Sequence, residues 1–131
     1  MFTPDSQQVV VVDANRFVAS YDVQSGQKRV WFSTLRTHGV EKVGIPPAYF
    51  IYKLSPDGTT MAMTSSGFGV DVWDCNKGLL LYSLPGREGI IYCFAWSPDS
   101  RRLAVSRSNG DIDIWNIAQI DRVLSELGLV P

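Results

Sequence analysis

The chain has 131 residues, 45% hydrophobic and 19% charged, and its twelve basic and thirteen acidic side chains leave a formal charge of −1. That composition is typical of a globular fold in water, and it offers neither a basic patch for nucleic acid nor a like-charge tail. The longest apolar run, Val9 to Val12, falls far short of the about 20 residues needed to span a bilayer. The start, Met1-Phe2-Thr3-Pro4-Asp5, lacks the basic segment and apolar core of a secretion signal. A cytoplasmic protein is expected, with neither nucleic acid nor membrane as partner.

Pro4-Asp5-Ser6 opens the chain as a turn, since proline presets φ and the Asp and Ser side chains can bond the backbone beyond it. Val9 to Val12 is continuous rather than alternating and reads as a strand buried on both faces. Asp13-Ala14-Asn15 interrupts it, Phe17 to Val23 forms a second strand, and Ser25-Gly26 turns into a third from Lys28 to Ser33. Three strands in a short space with tight turns predict an antiparallel meander over residues 1–33. Residues 34–43, which contain His38, then have no counterpart later in the chain. They read either as a lengthened surface loop, which costs little entropy, or as a partner-contacting loop.

Residues 44–86 predict four strands: Tyr49 to Leu54, Met61 to Thr64, Val70 to Trp73 and Leu79 to Leu84. Turns at Ser55-Pro56-Asp57-Gly58 and Cys75-Asn76-Lys77-Gly78 separate them, with a loop at Ser65-Ser66-Gly67. Residues 87–116 repeat the first three of these strands, at Ile90 to Trp96, Leu103 to Ser106 and Ile112 to Trp115, and no fourth follows. The period then changes. Ile117, Ile120, Leu124 and Leu127 fall three or four apart, which predicts an amphipathic helix over 117–127. Asn116 is placed to cap it, with Gln119 as capping-box partner, and Gly128 supplies a left-handed stop.

A repeat underlies this order. Ser-Pro-Asp at Pro98 and Asp99 leads over seventeen residues to Trp115-Asn116, and Pro56-Asp57 leads over the same distance to Trp73-Asp74. Pro4-Asp5 leads again over seventeen to Tyr21-Asp22, and a glycine stands twelve residues before the proline at Gly44 and Gly86. Four strands in a unit of about 40–45 residues fit one blade of a propeller. On these residues the chain resembles the WD-repeat β-propeller family, over nearly all its length except residues 34–43 and the terminal helix. The resemblance implies an all-β fold of about three antiparallel blades with a C-terminal helix. Residues 1–33 would supply strands b to d of one blade, 44–86 a complete blade, and 87–116 a blade without its outer strand. The ending is also similar to the closing helix of some bacterial WD-repeat regions, where the repeats often follow a kinase or other signalling domain.

The departures from the family pattern carry an expectation of their own. The histidine usual after the glycine is Ile45 or Arg87 here, and the aspartate usual six residues before the tryptophan is Asn15, Gly67 or Asn109. The hydrogen-bond network joining those groups to Ser and Trp is therefore not expected. Apolar packing should hold the blades instead, with Tyr21, Trp73 and Trp115 wedged between sheets.

No catalytic constellation emerges, and neither a cofactor nor a metal is expected. Asp5, Asp57 and Asp99 recur as corner formers, while Asp71 and Asp113 read as exposed strand residues or, less simply, as the lining of a polar channel. Cys75 and Cys93, with His38 far upstream, are too few for a zinc site and suit buried or half-buried free thiols in a reducing compartment. Gly67-Phe68-Gly69 lacks the lysine and strand-to-helix context of a phosphate loop. Tyr49, Phe50, Tyr52, Tyr92, Phe94 and Trp96 sit at strand spacing and read as core.

What the resemblance implies is a non-catalytic interaction scaffold that presents one rim of loops to a protein partner. Pro46, Pro47, Ser65, Ser66, Phe68, Arg87, Glu88, Arg107, Ser108 and Asn109 fall on that rim, with Phe68 and Arg107 as preferred anchors because aromatic and arginine side chains dominate hot spots. A ring typically needs about 4–8 blades, so the rest must come from a longer chain or a second copy. The alternatives are a propeller serving an N-terminal kinase or hydrolase domain, and a small protein that closes a ring by self-assembly.

Overall fold

The computed structural model describes residues 1–13, 15–34, 50–65 and 68–129. The insertion beyond Thr34 and the positions Tyr49, Gly44, Ile45, Pro46, Pro47, Ser66 and Gly67 lie outside them. Strands β1 (Gln8–Val12), β2 (Phe17–Asp22) and β3 (Lys28–Ser33) form a first antiparallel sheet. A four-stranded sheet follows from β4 (Tyr52–Leu54), β5 (Thr60–Thr64), β6 (Val70–Asp74) and β7 (Leu79–Leu84). The third contains β8 (Ile91–Trp96), β9 (Arg102–Arg107) and β10 (Ile112–Asn116), and helix α1 (Ile117–Glu126) closes the chain. Each sheet is a meander in sequence order, so the fold is all-β with one terminal helix. At the start, Phe2 bridges Val9, a stub where the first sheet would carry its inner strand.

The corner turns show why Ser, Pro and Asp recur. Ser55 Oγ donates to Asp57 Oδ1 at 2.6 Å, the Thr59 amide donates to the same oxygen at 3.0 Å, and the Thr60 amide donates back to Ser55 Oγ. Ser97, Asp99, Arg101 and Arg102 repeat this arrangement, as do Thr3, Asp5, Gln7 and Gln8. The residue after the aspartate turns left-handed in all three: φ is 59° at Ser6, 76° at Gly58 and 61° at Ser100. These donors hold the carboxyls below the usual range. The cause is first the Thr3 hydroxyl for Asp5 and the Ser97 hydroxyl for Asp99, while for Asp57 burial pushes upward and the Ser55 and Thr59 donors outweigh it.

A second local rule decides where a sheet continues and where it stops. The side chains of Asp22, Asp74 and Asn116 each accept the amide three residues on, from Ser25, Lys77 and Gln119. In the first two repeats a glycine comes next, Gly26 and Gly78, with φ of 70° and 65°. That left-handed residue ends the turn and lets an outer strand begin. In the third repeat Ile120 stands there, and the same capped turn runs on as α1. The helix ends as expected, with Gly128 at φ 69°, its amide on Ser125 O and the Leu129 amide on Leu124 O, a Schellman pattern.

Two apolar layers join the three sheets. Val10 and Val18 of the first sheet meet Leu54, Met61, Met63 and Trp73 of the second. Ala62, Val70, Val72 and Leu84 on its other face meet Ile91, Phe94, Leu103 and Val105 of the third, with Ile117 of α1. The middle sheet is thus covered on both sides, and β5 is buried at four successive positions, whereas β9 alternates because only one of its faces is covered. Trp73 stacks on Phe32 with ring centroids 5.6 Å apart. The corners interlock too: the Asp57 amide donates to Ser100 Oγ, and Trp96 Nε1 donates to Lys53 O.

Three expectations need correction, each for lack of a covering neighbour. Val9 to Val12 is not buried on both faces, since among its residues only Val10 is fully enclosed. Tyr21 is not wedged between sheets: it pairs with Val9 on the outward face of the first sheet and is exposed. Tyr92, read as core, is 64% exposed at the irregularity in β8.

Candidate functional site

The loops joining the second and third strands of the middle and last sheets, and the connection from Pro85 to Ile90, converge on Arg107. It ends β9, and its register on the inner face of the sheet directs it inward: the residue is 3% exposed. Its Nε donates to Asp113 Oδ2 at 2.9 Å, and its Nη1 donates to Phe68 O at 2.8 Å and Gly89 O at 3.2 Å. Asp113, also buried, receives Arg87 Nη1 on its other oxygen, and the Arg87 side chain is 58% exposed. One guanidinium therefore ties its own sheet, the preceding connection and the neighbouring sheet's loop together. A bidentate, permanently charged fork is suited to this task in a way a lysine is not.

This corrects two expectations. Arg107 is not a presented anchor, because its side chain is buried, with Nε on Asp113, Nη1 on the carbonyls of Phe68, Arg87 and Gly89, and Nη2 enclosed without a partner. Asp113 is not an exposed strand residue, because it faces the inter-sheet layer and neutralises that arginine. Asp71, at the matching position of the middle sheet, is half-buried and accepts the Ser83 hydroxyl. Arg107 and Asp113 stand six residues apart on neighbouring strands, and a local reading of the sequence gives no reason to pair them.

Ser65, Phe68, Arg87, Glu88, Ser108 and Asn109 are exposed, and Phe68 presents 48% of its surface while its carbonyl is held by Arg107. Asn109 Nδ2 bonds Glu88 O and Asp111 Oδ2, and Ser108 Oγ accepts the Ile90 amide. The loops are thus tied to one another rather than loose. The tryptophans show what replaces the missing network: Trp31 Nε1 donates to Ser20 Oγ, while Trp73 Nε1 and Trp115 Nε1 are buried with no hydrogen-bond partner.

Among the described residues no group of three or more His, Cys, Asp or Glu could hold a metal. No helix of the described residues is long and apolar enough to cross a membrane. Cys75 and Cys93 are free; Cys75 is half-buried, but Cys93, expected to be covered, is exposed beside the irregularity in β8, and burial first, then Asp74 and Asp57, push the Cys75 thiol up to about 12.

Residues 78–116 match the family described as WD domain, G-beta repeat. The matched stretch takes in β7 to β10, the outer strand of the middle sheet and the whole of the last one. The fold is that of the crystal structure of the RRP9 WD40 repeats, with a TM-score of 0.63 over 91% of this chain at 19% identity. The structure of U3-55K matches with a TM-score of 0.65, again over 91% of the chain at 19% identity. The chain spans 34% and 35% of those two structures.

Proposed function

We propose that the chain is a non-catalytic protein-interaction scaffold that docks a protein partner on the rim built by Phe68, Arg87, Glu88, Ser65, Ser108 and Asn109. Pro46, Pro47 and Ser66 are assigned to the same rim from the sequence. The observation that carries this reading is Phe68: an aromatic ring half exposed on a loop whose backbone is fixed by a buried arginine. A rigid, exposed aromatic beside a guanidinium is the composition of a binding hot spot, preorganised at low entropic cost. The two blades at the ends are proposed to be covered by further blades, from a longer chain or a second copy. Support comes from Ile112 and Ile114, which lie exposed on the outward face of the last blade, where an uncovered apolar sheet face invites association. Free thiols suit the cytoplasmic location proposed, and the bacterial affinity rests on the sequence resemblance of the closing helix.

The test is co-purification of the native partner with the full-length protein, comparing wild type with Phe68→Ala and Arg87→Ala. Loss of the associated protein, with an unchanged circular dichroism spectrum, is expected. An unchanged set of associated proteins in the double variant would defeat the rim assignment.

A further inference from the structure

On the opposite side of the last blade from Arg107, at the start of β9 and α1, a cavity of about 300 Å³ is lined by Asp99, Arg101, Arg102, Asn116, Ala118, Gln119 and Arg122. Three arginines around one small opening is an uneven distribution in a chain whose formal charge is −1. We propose that this cavity is a binding site for a phosphate monoester carried by a protein, a phosphorylated side chain of a partner.

The positions of the three guanidiniums follow from backbone ties. Arg101 lies in the corner turn, where its amide donates to Asp99 and its carbonyl accepts the Ala118 amide. Arg102 begins β9 opposite Asn116, its amide held by Ser97 Oγ. Arg122 comes one helical turn after Ala118 and three residues after Gln119, so all three share one side of α1. The corner, the strand and the helix are thus locked together, and each contributes one arginine to the same opening.

The guanidiniums have donors to spare. Among the described residues neither Arg101 nor Arg102 donates a side-chain hydrogen bond, and Arg122 has only a 4.0 Å pairing with the exposed Glu126. The one carboxylate in the lining, Asp99, already accepts the Ser97 hydroxyl and the Arg101 amide. The helix end is not the source of the site, because its Gln119 and Ala118 amides are taken by Asn116 Oδ1 and Arg101 O. The arginines carry it. Their planar forks match the oxygens of a phosphate, and such charge-assisted bonds are about twice as strong as neutral ones.

Size and surroundings favour a single phosphomonoester over a nucleic-acid strand. The cavity has room for one tetrahedral group and its stem, not a track of phosphates. Asp99 lines it and Glu126 pairs with Arg122 beside it, and those carboxylates oppose a long polyanion. Arginine clusters without a basic groove are the recurring means of recognising phosphorylated protein segments.

The experiment uses the full chain, with a phosphoserine peptide, its unphosphorylated form and inorganic phosphate as probes at matched ionic strength. Binding is followed by the Nε–H signals of Arg101, Arg102 and Arg122 in nitrogen–proton spectra. Saturable shifts of these three signals with phosphate and the phosphopeptide are expected, and none with the unphosphorylated peptide. Arg101→Gln and Arg122→Gln should each weaken phosphopeptide binding about tenfold, the loss of roughly one charged hydrogen bond, while Arg29→Gln, at an exposed position of β3 in the first sheet, leaves it unchanged. Shifts that only track ionic strength, or affinity unaltered by either variant at the cavity, would overturn the site. Tighter binding of a single-stranded oligonucleotide or of anionic vesicles than of the phosphopeptide would overturn the assigned class. Because the cavity and the rim share no residue, this result is separable from failure of the rim assignment.

Discussion

Removing the carboxylate of Asp113 should destabilise the protein far more than removing either arginine's outer contacts. In Asp113→Ala the Arg107 guanidinium, with its side chain 1% exposed, loses its counter-charge while remaining buried. An uncompensated buried charge of this kind costs about 3–5 kcal/mol. Three carbonyl contacts, to Phe68 O, Gly89 O and more distantly Arg87 O, survive the change, which places the expected loss near the lower end, about 3 kcal/mol. The Arg87 pairing adds little, since an exposed partner contributes at most about 1 kcal/mol. Replacing both buried partners by apolar groups of similar size, Arg107→Met with Asp113→Leu, should cost about 1 kcal/mol or less, because neither charge is then stranded. The assay is urea denaturation followed by tryptophan fluorescence, at one fixed protein concentration so that any association is held constant. A cost below about 1 kcal/mol for Asp113→Ala, or a double variant less stable than the single one, would refute the buried clamp.

The two thiols should separate cleanly in a labelling experiment at neutral pH. Exposed Cys93 should react fast and Cys75 slowly, because its raised pKa keeps it as the inert thiol; equal rates would contradict the burial of Cys75. Acid should act through the corner carboxylates of Asp5, Asp57 and Asp99, whose pKa values are lower folded than unfolded. Their contribution is present above the unfolded value and is lost as pH falls through the folded one. Asp57→Asn should therefore flatten the decline in stability below about pH 4, read as the pH dependence of the urea midpoint.

The sheets were legible in the sequence because the repeat states its own punctuation. Pro56-Asp57 and Trp73-Asp74 locate the corners, and the change of period after Asn116 announces the helix. The cap at Asn116 and the stop at Gly128 were readable for the same reason, being local rules of side chain and φ. The rim was only partly legible. Which loops gather follows from blade order, but whether a side chain faces out depends on register and on the partner it finds. Arg107 looks like a surface anchor until Asp113, six residues away on the next strand, is seen to face it. The exposure of Tyr21 and Tyr92 was equally hidden, since strand periodicity does not say whether another sheet will cover a face. The arginine cavity joins a corner, a strand and a helix, and no single segment of sequence displays it.

The central claim is that these are blades whose outward faces require covering, and the mass of the isolated chain in solution tests it most directly. Ile112 and Ile114, at 66% and 64% exposure, each stand to gain on the order of 1–2 kcal/mol from burial. Multi-angle light scattering at micromolar concentration should show species heavier than a single chain, and Ile112→Lys with Ile114→Lys should shift them toward the monomer. A wild-type chain that remains a monomer and unfolds in one cooperative step would contradict the account.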